Sequence, residues 1–142
     1  MPTVYDVASY ILAKQGTMTT MKLQKLVYYA QAWSLVWDEE PLFKNEIEAW
    51  ANGPVVPGLY QRHKGDFKIR RLPAGDGRKI KGSAKKTIDA VLSYYSEKTS
   101  QWLSNLTHSE KPWRDARRGL NPSQRGSREI THAAMAEYYG SL

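Results

Sequence analysis

The chain contains no cysteine among its 142 residues. That excludes a disulfide framework, a thiolate nucleophile and a Cys-ligated zinc, and it fits a reducing compartment without requiring one. Histidine is scarce too: His63, His108 and His132 fall far apart on different predicted elements, with neither the i, i+4 metal spacing nor a neighbouring carboxylate. No phosphate loop, nucleophile elbow or dinucleotide fingerprint occurs. The one acidic cluster, Asp38-Glu39-Glu40, falls at a helix exit, where hydrated carboxylates are ordinary. Sites also assemble from distant residues, but on this inventory no catalytic residue, metal or cofactor is expected. No apolar run is long enough to span a bilayer, and Met1-Pro2-Thr3-Val4-Tyr5-Asp6 lacks both a basic n-region and an apolar h-region. A cytoplasmic protein with no membrane partner is therefore expected.

What is present suits a single domain spanning residues 1–142, long enough for a hydrophobic core without disulfide or metal staples. The net charge is +7, and its location matters more than its size. Lys64, Lys68, Arg70, Arg71, Arg78, Lys79, Lys81, Lys85 and Lys86 stand against only Asp66 and Asp76, so this one strip carries the whole excess. Such a strip steers an acidic protein partner, attracts a phosphate backbone, or is simply a solvated face.

Helical periodicity dominates. Val4, Val7, Ala8 and Ile11 form a stripe after a Thr3 cap, predicting a helix over 4–15. A second helix, capped by Thr19 or Thr20 and running to Trp37, carries Leu23, Leu26, Val27, Ala30 and Trp33 on one face and Tyr28, Tyr29, Leu35 and Val36 on the others, as a helix packed on several sides would. Alternation from Phe43 to Trp50 predicts a short strand, and Phe67–Leu72 a second. Pro57 is placed to open a short helix carrying Leu59 and Tyr60, and Pro73–Gly77 reads as a turn or mobile loop. A Ser83-capped helix breaks near Thr99 into another; Pro112 opens a short one ending at Gly119; Thr131 caps the last. The expected fold is mainly α, a compact helical bundle with a small antiparallel β element and no internal repeats.

Lys22 and Lys25 sit in the first turns of the second helix, where the macrodipole disfavours cations by ~0.3–1 kcal/mol. An ion pair with Glu46, Glu48 or Asp6 would offset that; so would direct contact with a partner, which Tyr29 could share. Tyr28, Tyr29, Trp33 and Trp50 read first as core aromatics. His108 reads as a corner residue bonded to backbone, Trp113 as an anchor for its short helix, and Arg114, Arg117 and Arg118 as an extension of the basic surface.

Three segments in order carry a resemblance. Lys22-Leu23-Gln24-Lys25-Leu26 with Tyr28-Tyr29-Ala30-Gln31, then Pro41-Leu42-Phe43 with Glu46 to Tyr60 (including Trp50, Gly53, Pro54 and Pro57), then Leu106-Thr107-His108 with Pro112-Trp113 and Ala116-Arg117, resemble the motifs of the Panacea, or SocA-like, antitoxin family. Members occur in bacteria and phages, often as phage-associated proteins. The resemblance implies a protein-binding antitoxin that neutralises a cognate toxin by contact, with delivery of the toxin to a Clp-type protease as a further mode. Its residues for structure are Leu23, Leu26, Tyr28, Trp50, Gly53, Pro54, Pro57, Tyr60, His108, Pro112 and Trp113. Candidates for partner contact are Lys22, Lys25, Tyr29, Arg70, Arg71, Lys79 and Lys81. A nucleic-acid-binding regulator using the strip Lys64–Lys86, with Met18–Trp37 read as part of a helix-turn-helix, is the alternative; the apolar second helix leaves it little room to read bases.

Overall fold

A computed structural model describes residues 1–142. Helix α1 (Val4–Gln15) begins where Thr3 and Asp6 cap each other: Thr3 Oγ1 accepts from the Asp6 N–H at 3.2 Å, and Asp6 Oδ2 accepts from the Thr3 N–H at 3.0 Å. This satisfies two amides that a helix start leaves unpaired. After β1 (Met18–Thr19) comes α2 (Thr20–Trp37), whose Thr19 cap accepts from the Lys22 N–H. Its residues 23–32 are buried without a break, so α2 is the axis of the fold. Helices α1, α4 (Gly82–Tyr95), α5 (Ser100–Ser109) and α7 (His132–Gly140) pack around it, and the architecture is mainly α.

Two glutamines a heptad apart on α2 bind irregular chain to this axis. Gln31 Nε2 donates to the Phe43 carbonyl at 2.9 Å while its Oε1 accepts from the Leu42 N–H at 2.7 Å. Gln24 Oε1 accepts from the Val56 N–H at 2.9 Å. Side-chain amides thus supply the partners that these buried backbone groups require.

A small antiparallel sheet has the order β3-β2-β5, built from β2 (Ile47–Trp50), β3 (Gly53–Val55) and β5 (Glu129–Ile130). Glu48 pairs with Val55 and Trp50 with Gly53, while Ile47 pairs with Ile130. Separately, β4 (Lys68–Ile69) pairs with β1. Helices α3 (Pro57–His63) and α6 (Lys111–Ala116) each start at a proline near their first position, where a missing N–H costs nothing.

Several boundaries differ from the sequence reading. The strand expected from Phe43 starts only at Ile47, because Phe43 is tied to Gln31 instead. The expected strand 67–72 shrinks to Lys68–Ile69 and pairs with β1, not with the 47–50 strand. Ser83 does not cap α4: the cap position is Lys81, with no side-chain bond. Helix α6 stops at Ala116 rather than Gly119. The segment 73–77 is held against α1, since the Asp76 N–H donates to Asp6 Oδ1 at 2.9 Å and a Cβ on Gly75 would fall 1.9 Å from the Tyr5 carbonyl oxygen.

One polar chain crosses the core. The Tyr29 and Tyr139 hydroxyls each donate to Glu110 Oε1 at 2.7 Å, and the Tyr28 and Tyr139 hydroxyls lie 3.0 Å apart. Burial raises the Glu110 pKa above its ordinary value, opposed by the two phenol bonds. This chain joins α2, the start of α6 and α7.

Candidate functional site

The turn between β2 and β3 is built over the Lys25 side chain. Gly53 holds φ +125°, and a Cβ there would lie 2.5 Å from Lys25 Cε and 3.2 Å from Thr107 Oγ1. The dihedral therefore demands glycine, and a Cβ would in addition force the Lys25 side chain to move. Pro54 follows on the edge strand β3, opposite Ala49, one of the few sheet positions open to proline. Trp113, on α6, donates its indole N–H to the Trp50 carbonyl at 2.8 Å and stacks on His108 with centroids 3.9 Å apart and planes 6° from parallel. The three sequence segments thus converge on one place.

Lys25 is 1% exposed, and its ammonium forms neither a hydrogen bond nor an ion pair. Burial alone lowers its pKa from 10.5 to about 8. Two imidazoles share this environment. Burial depresses the pKa of His63, with Asp66 opposing and the Lys25 charge adding; burial likewise depresses that of His108, helped by Lys25 and Arg117. Gln24 Nε2 lies 3.0 Å from His63 Nε2. Because Gln24 Oε1 already accepts from Val56, the amide donates and His63 Nε2 is the unprotonated acceptor. The His108 Nε2 is buried with no hydrogen-bond partner.

A cleft of about 630 Å³ opens beside Lys25, walled by Gln24, Trp50, Tyr60 and His63. Arg125 closes one side, its guanidinium 3.7 Å from the Trp50 ring centroid and 5.4 Å from that of Tyr60, a stacking contact that leaves its N–H edge available. The loop carrying Arg125 is fixed by Arg117, whose guanidinium donates to the carbonyls of Ala49, Asn121, Gln124 and Arg125 at 2.9, 3.0, 2.6 and 3.0 Å. At the mouth Met21 is 38% and Phe67 75% exposed.

The sequence-predicted residues divide accordingly. Leu23, Leu26, Tyr28, Gly53, Pro54 and Pro112 are buried, whereas Trp50, Pro57, Tyr60, His108 and Trp113 are half-buried. Tyr29 is buried and offers no surface to a partner, and Lys25 is 1% exposed, its side chain reached only through the cleft. The expected ion pairs of Lys22 and Lys25 are not formed: Lys22 Nζ donates to the Ser96 carbonyl at the end of α4, while Asp6 is occupied by Thr3 and Asp76, and Glu48 by the Trp50 indole. Arg70, Arg71, Lys79 and Lys81 are exposed and lie outside the cleft. Arg117 is 6% exposed and does not extend the basic surface as expected, although Arg114 and Arg118 are exposed. Gln24 was read only as part of a motif and His63 only as an isolated histidine, and Arg125 was not singled out at all. A glutamine on an otherwise apolar helix was a legible signal for the first, and nothing in the local sequence marked Arg125.

No group of three or more His, Asp or Glu side chains is placed to hold a metal ion, and no helix is long and apolar enough to cross a membrane. The site is defined by charge, amide and aromatic groups on a helical scaffold. The chain belongs to the antitoxin SocA-like, Panacea domain family, whose model matches residues 23–114. That span includes Lys25, the β2–β3 turn, α3 and Trp113, and leaves Arg117 and Arg125 outside. Neither a curated protein nor a solved structure matches the chain.

Proposed function

We propose that this protein is an antitoxin that neutralises a cognate toxin protein by direct contact, without turnover and in the cytoplasm. The observation that carries this reading is the family match over residues 23–114. The groups around Lys25 fit it: they supply charge, hydrogen bonds and aromatic faces, which recognition needs, and no nucleophile poised on a base. Delivery of the toxin to a Clp-type protease is a second mode of the same role, and a phage-encoded member would turn the scaffold on a host protein.

Co-expression with a toxin-like product of an adjacent gene tests the proposal. Growth should be restored and the two proteins should co-purify; abundant, folded antitoxin that neither protects nor binds would refute it. Toxin half-life with and without the Clp protease separates masking from delivery. His108→Ala at matched protein level should still protect, and loss of protection would make His108 a contact residue.

A nucleic-acid-binding reading keeps one supporting observation: every Lys and Arg of the strip from Lys64 to Lys86 is exposed, and only Arg78 and Lys85 join ion pairs. Helix α2 cannot act as a recognition helix while residues 23–32 are buried. Reversing Arg70, Arg71, Lys79 and Lys81 to Glu discriminates. Slower association with a toxin, most marked at low salt, indicates steering; DNA or RNA affinity falling steeply with log salt indicates phosphate contact. No change in either means a solvated face.

A further inference from the structure

One lysine of this molecule is buried without a partner. Lys25 reaches under Gly53 and its side chain lines the cleft of about 630 Å³, where no carboxylate pairs with it and no carbonyl accepts from it. A buried charge left this way is costly to the fold. Nearby groups explain its position but not its charge, since methionine has much the same length and volume.

The cleft around it is cationic in excess. Arg125 forms no ion pair and donates no side-chain hydrogen bond, standing with its face against Trp50. The cleft's one carboxylate, Asp66, is exposed and pairs with neither cation. The mouth is apolar, formed by Met21 and Phe67 beside the Trp50 ring. A hydrated phosphate backbone fits such a mouth poorly. An acidic side chain on an apolar peptide segment fits both parts: its carboxylate meets the cations and its neighbours cover the rim.

We infer that the cleft beside Lys25 is a carboxylate-receiving pocket, in which an Asp or Glu side chain on an apolar segment of a partner protein pairs with the Lys25 ammonium and the Arg125 guanidinium. The partner's identity as a toxin rests on the function proposed above; the pocket's chemistry does not. Discrimination is the consequence. A partner with Gln in place of Glu leaves the ammonium unpaired while still covering the cleft, so the loss falls on dissociation rate. The lowered pKa values of Lys25, His63 and His108 agree, because an incoming anion would raise all three.

The full chain can be titrated by nuclear magnetic resonance with four probes: acetyl-Leu-Glu-Leu-Phe-amide, its Gln counterpart, acetylglutamate amide and inorganic phosphate. Shifts of the Trp50 indole N–H and the Gln24 side-chain amide report occupancy. The Glu peptide should bind at least about tenfold more tightly than the Gln peptide and than acetylglutamate amide. Lys25→Met should remove most of the difference between Glu and Gln peptides, and Arg125→Gln part of it. Equal binding of the two peptides, no shift at Trp50, or a difference that survives Lys25→Met would overturn the inference. So would phosphate shifting the same resonances as strongly as the Glu peptide, which would make the cleft a small-anion site. Should Lys25→Met fail to fold, the wild-type His63 titration still decides: its pKa must rise with the Glu peptide and not with the Gln peptide. No toxin is needed, so a silent cleft defeats this inference alone, while a working pocket in a protein that fails to protect cells defeats the antitoxin reading.

Discussion

Lys25→Met should make the protein more stable at neutral pH. Lys25 is 1% exposed and its ammonium unpaired, and its pKa falls from 10.5 in the ordinary state to about 8 in the fold. Each pKa unit corresponds to 1.36 kcal/mol, so the charged native form is disfavoured by about 3 kcal/mol below pH 8. The sign follows from proton counts. Between pH 8 and 10.5 the unfolded lysine keeps its proton while the native one has lost it, so the unfolded state binds more protons and stability rises with pH. Below about pH 7 both states are protonated and the full cost is present. Methionine keeps the volume and removes the charge, giving an expected gain of about 1–3 kcal/mol at pH 7 after imperfect packing is allowed for. Urea unfolding of both proteins at pH 7, 8 and 9 measures it. The wild type should gain about 1 kcal/mol between pH 7 and 9, and the variant should be nearly flat. Above pH 10 the raised pKa values of Tyr28, Tyr29, Tyr95 and Tyr139 reverse the trend, because their native forms hold protons that the unfolded chain releases. A Lys25→Met protein that is less stable at pH 7, or that shows the same slope as the wild type, would refute an uncompensated buried charge.

Leu26→Ala removes a fully buried side chain from the axis helix and should cost about 2–5 kcal/mol in urea unfolding; a change within error would mean that α2 is not the core. Glu110→Gln keeps an acceptor for the Tyr29 and Tyr139 hydroxyls and removes a buried charge, so stability at pH 7 should hold or rise, whereas Glu110→Ala should lose about 1–3 kcal/mol. With its native pKa raised, Glu110 makes the wild type more stable as pH falls through that value, a trend that should vanish in Glu110→Gln. Gly53→Ala should cost at least about 1–3 kcal/mol from its φ of +125°, and part of any further loss should return in a Lys25→Ala background, which removes the 2.5 Å clash; strict additivity in the double-mutant cycle would deny the contact.

The helices were legible because their signals are local. Thr3, Thr19, Thr99 and Thr131 all accept from an amide in their own first turn, and α2 reads as buried because apolar residues lie on nearly every side of it. Strands were less so. Elements of two or three residues such as β1 and β5 show no period, and their pairing depends on chain far away, Met18 with Ile69 and Ile47 with Ile130. Ser83 misled for a related reason: a capping residue marks a start only if its hydroxyl reaches the second or third amide, and the backbone places Ser83 inside α4 instead.

The site was half legible. The Gly53-Pro54 turn and the Lys22–Lys25 helix start were visible as motifs, but their relation was not, since no rule of spacing says that residue 25 passes beneath residue 53. The dipole argument expected a counter-ion for each lysine, and it was right about Lys22 only in part: a carbonyl at the end of α4, itself the negative end of a helix, takes the place of the carboxylate. For Lys25 nothing takes that place. A helix as apolar as α2 keeps a polar residue inside only where something bonds to it. Gln24 and Gln31 meet that condition within the chain, through Val56, Leu42 and Phe43. Lys25, on the same buried surface, meets it nowhere in the molecule, and it lines a cleft most of whose walls, Arg125 excepted, belong to the span that places the chain in its family. A carboxylate brought by another molecule would pair with a charge that cleft water can only solvate, so the stability gained by Lys25→Met and the selectivity lost by it should come from the same charge.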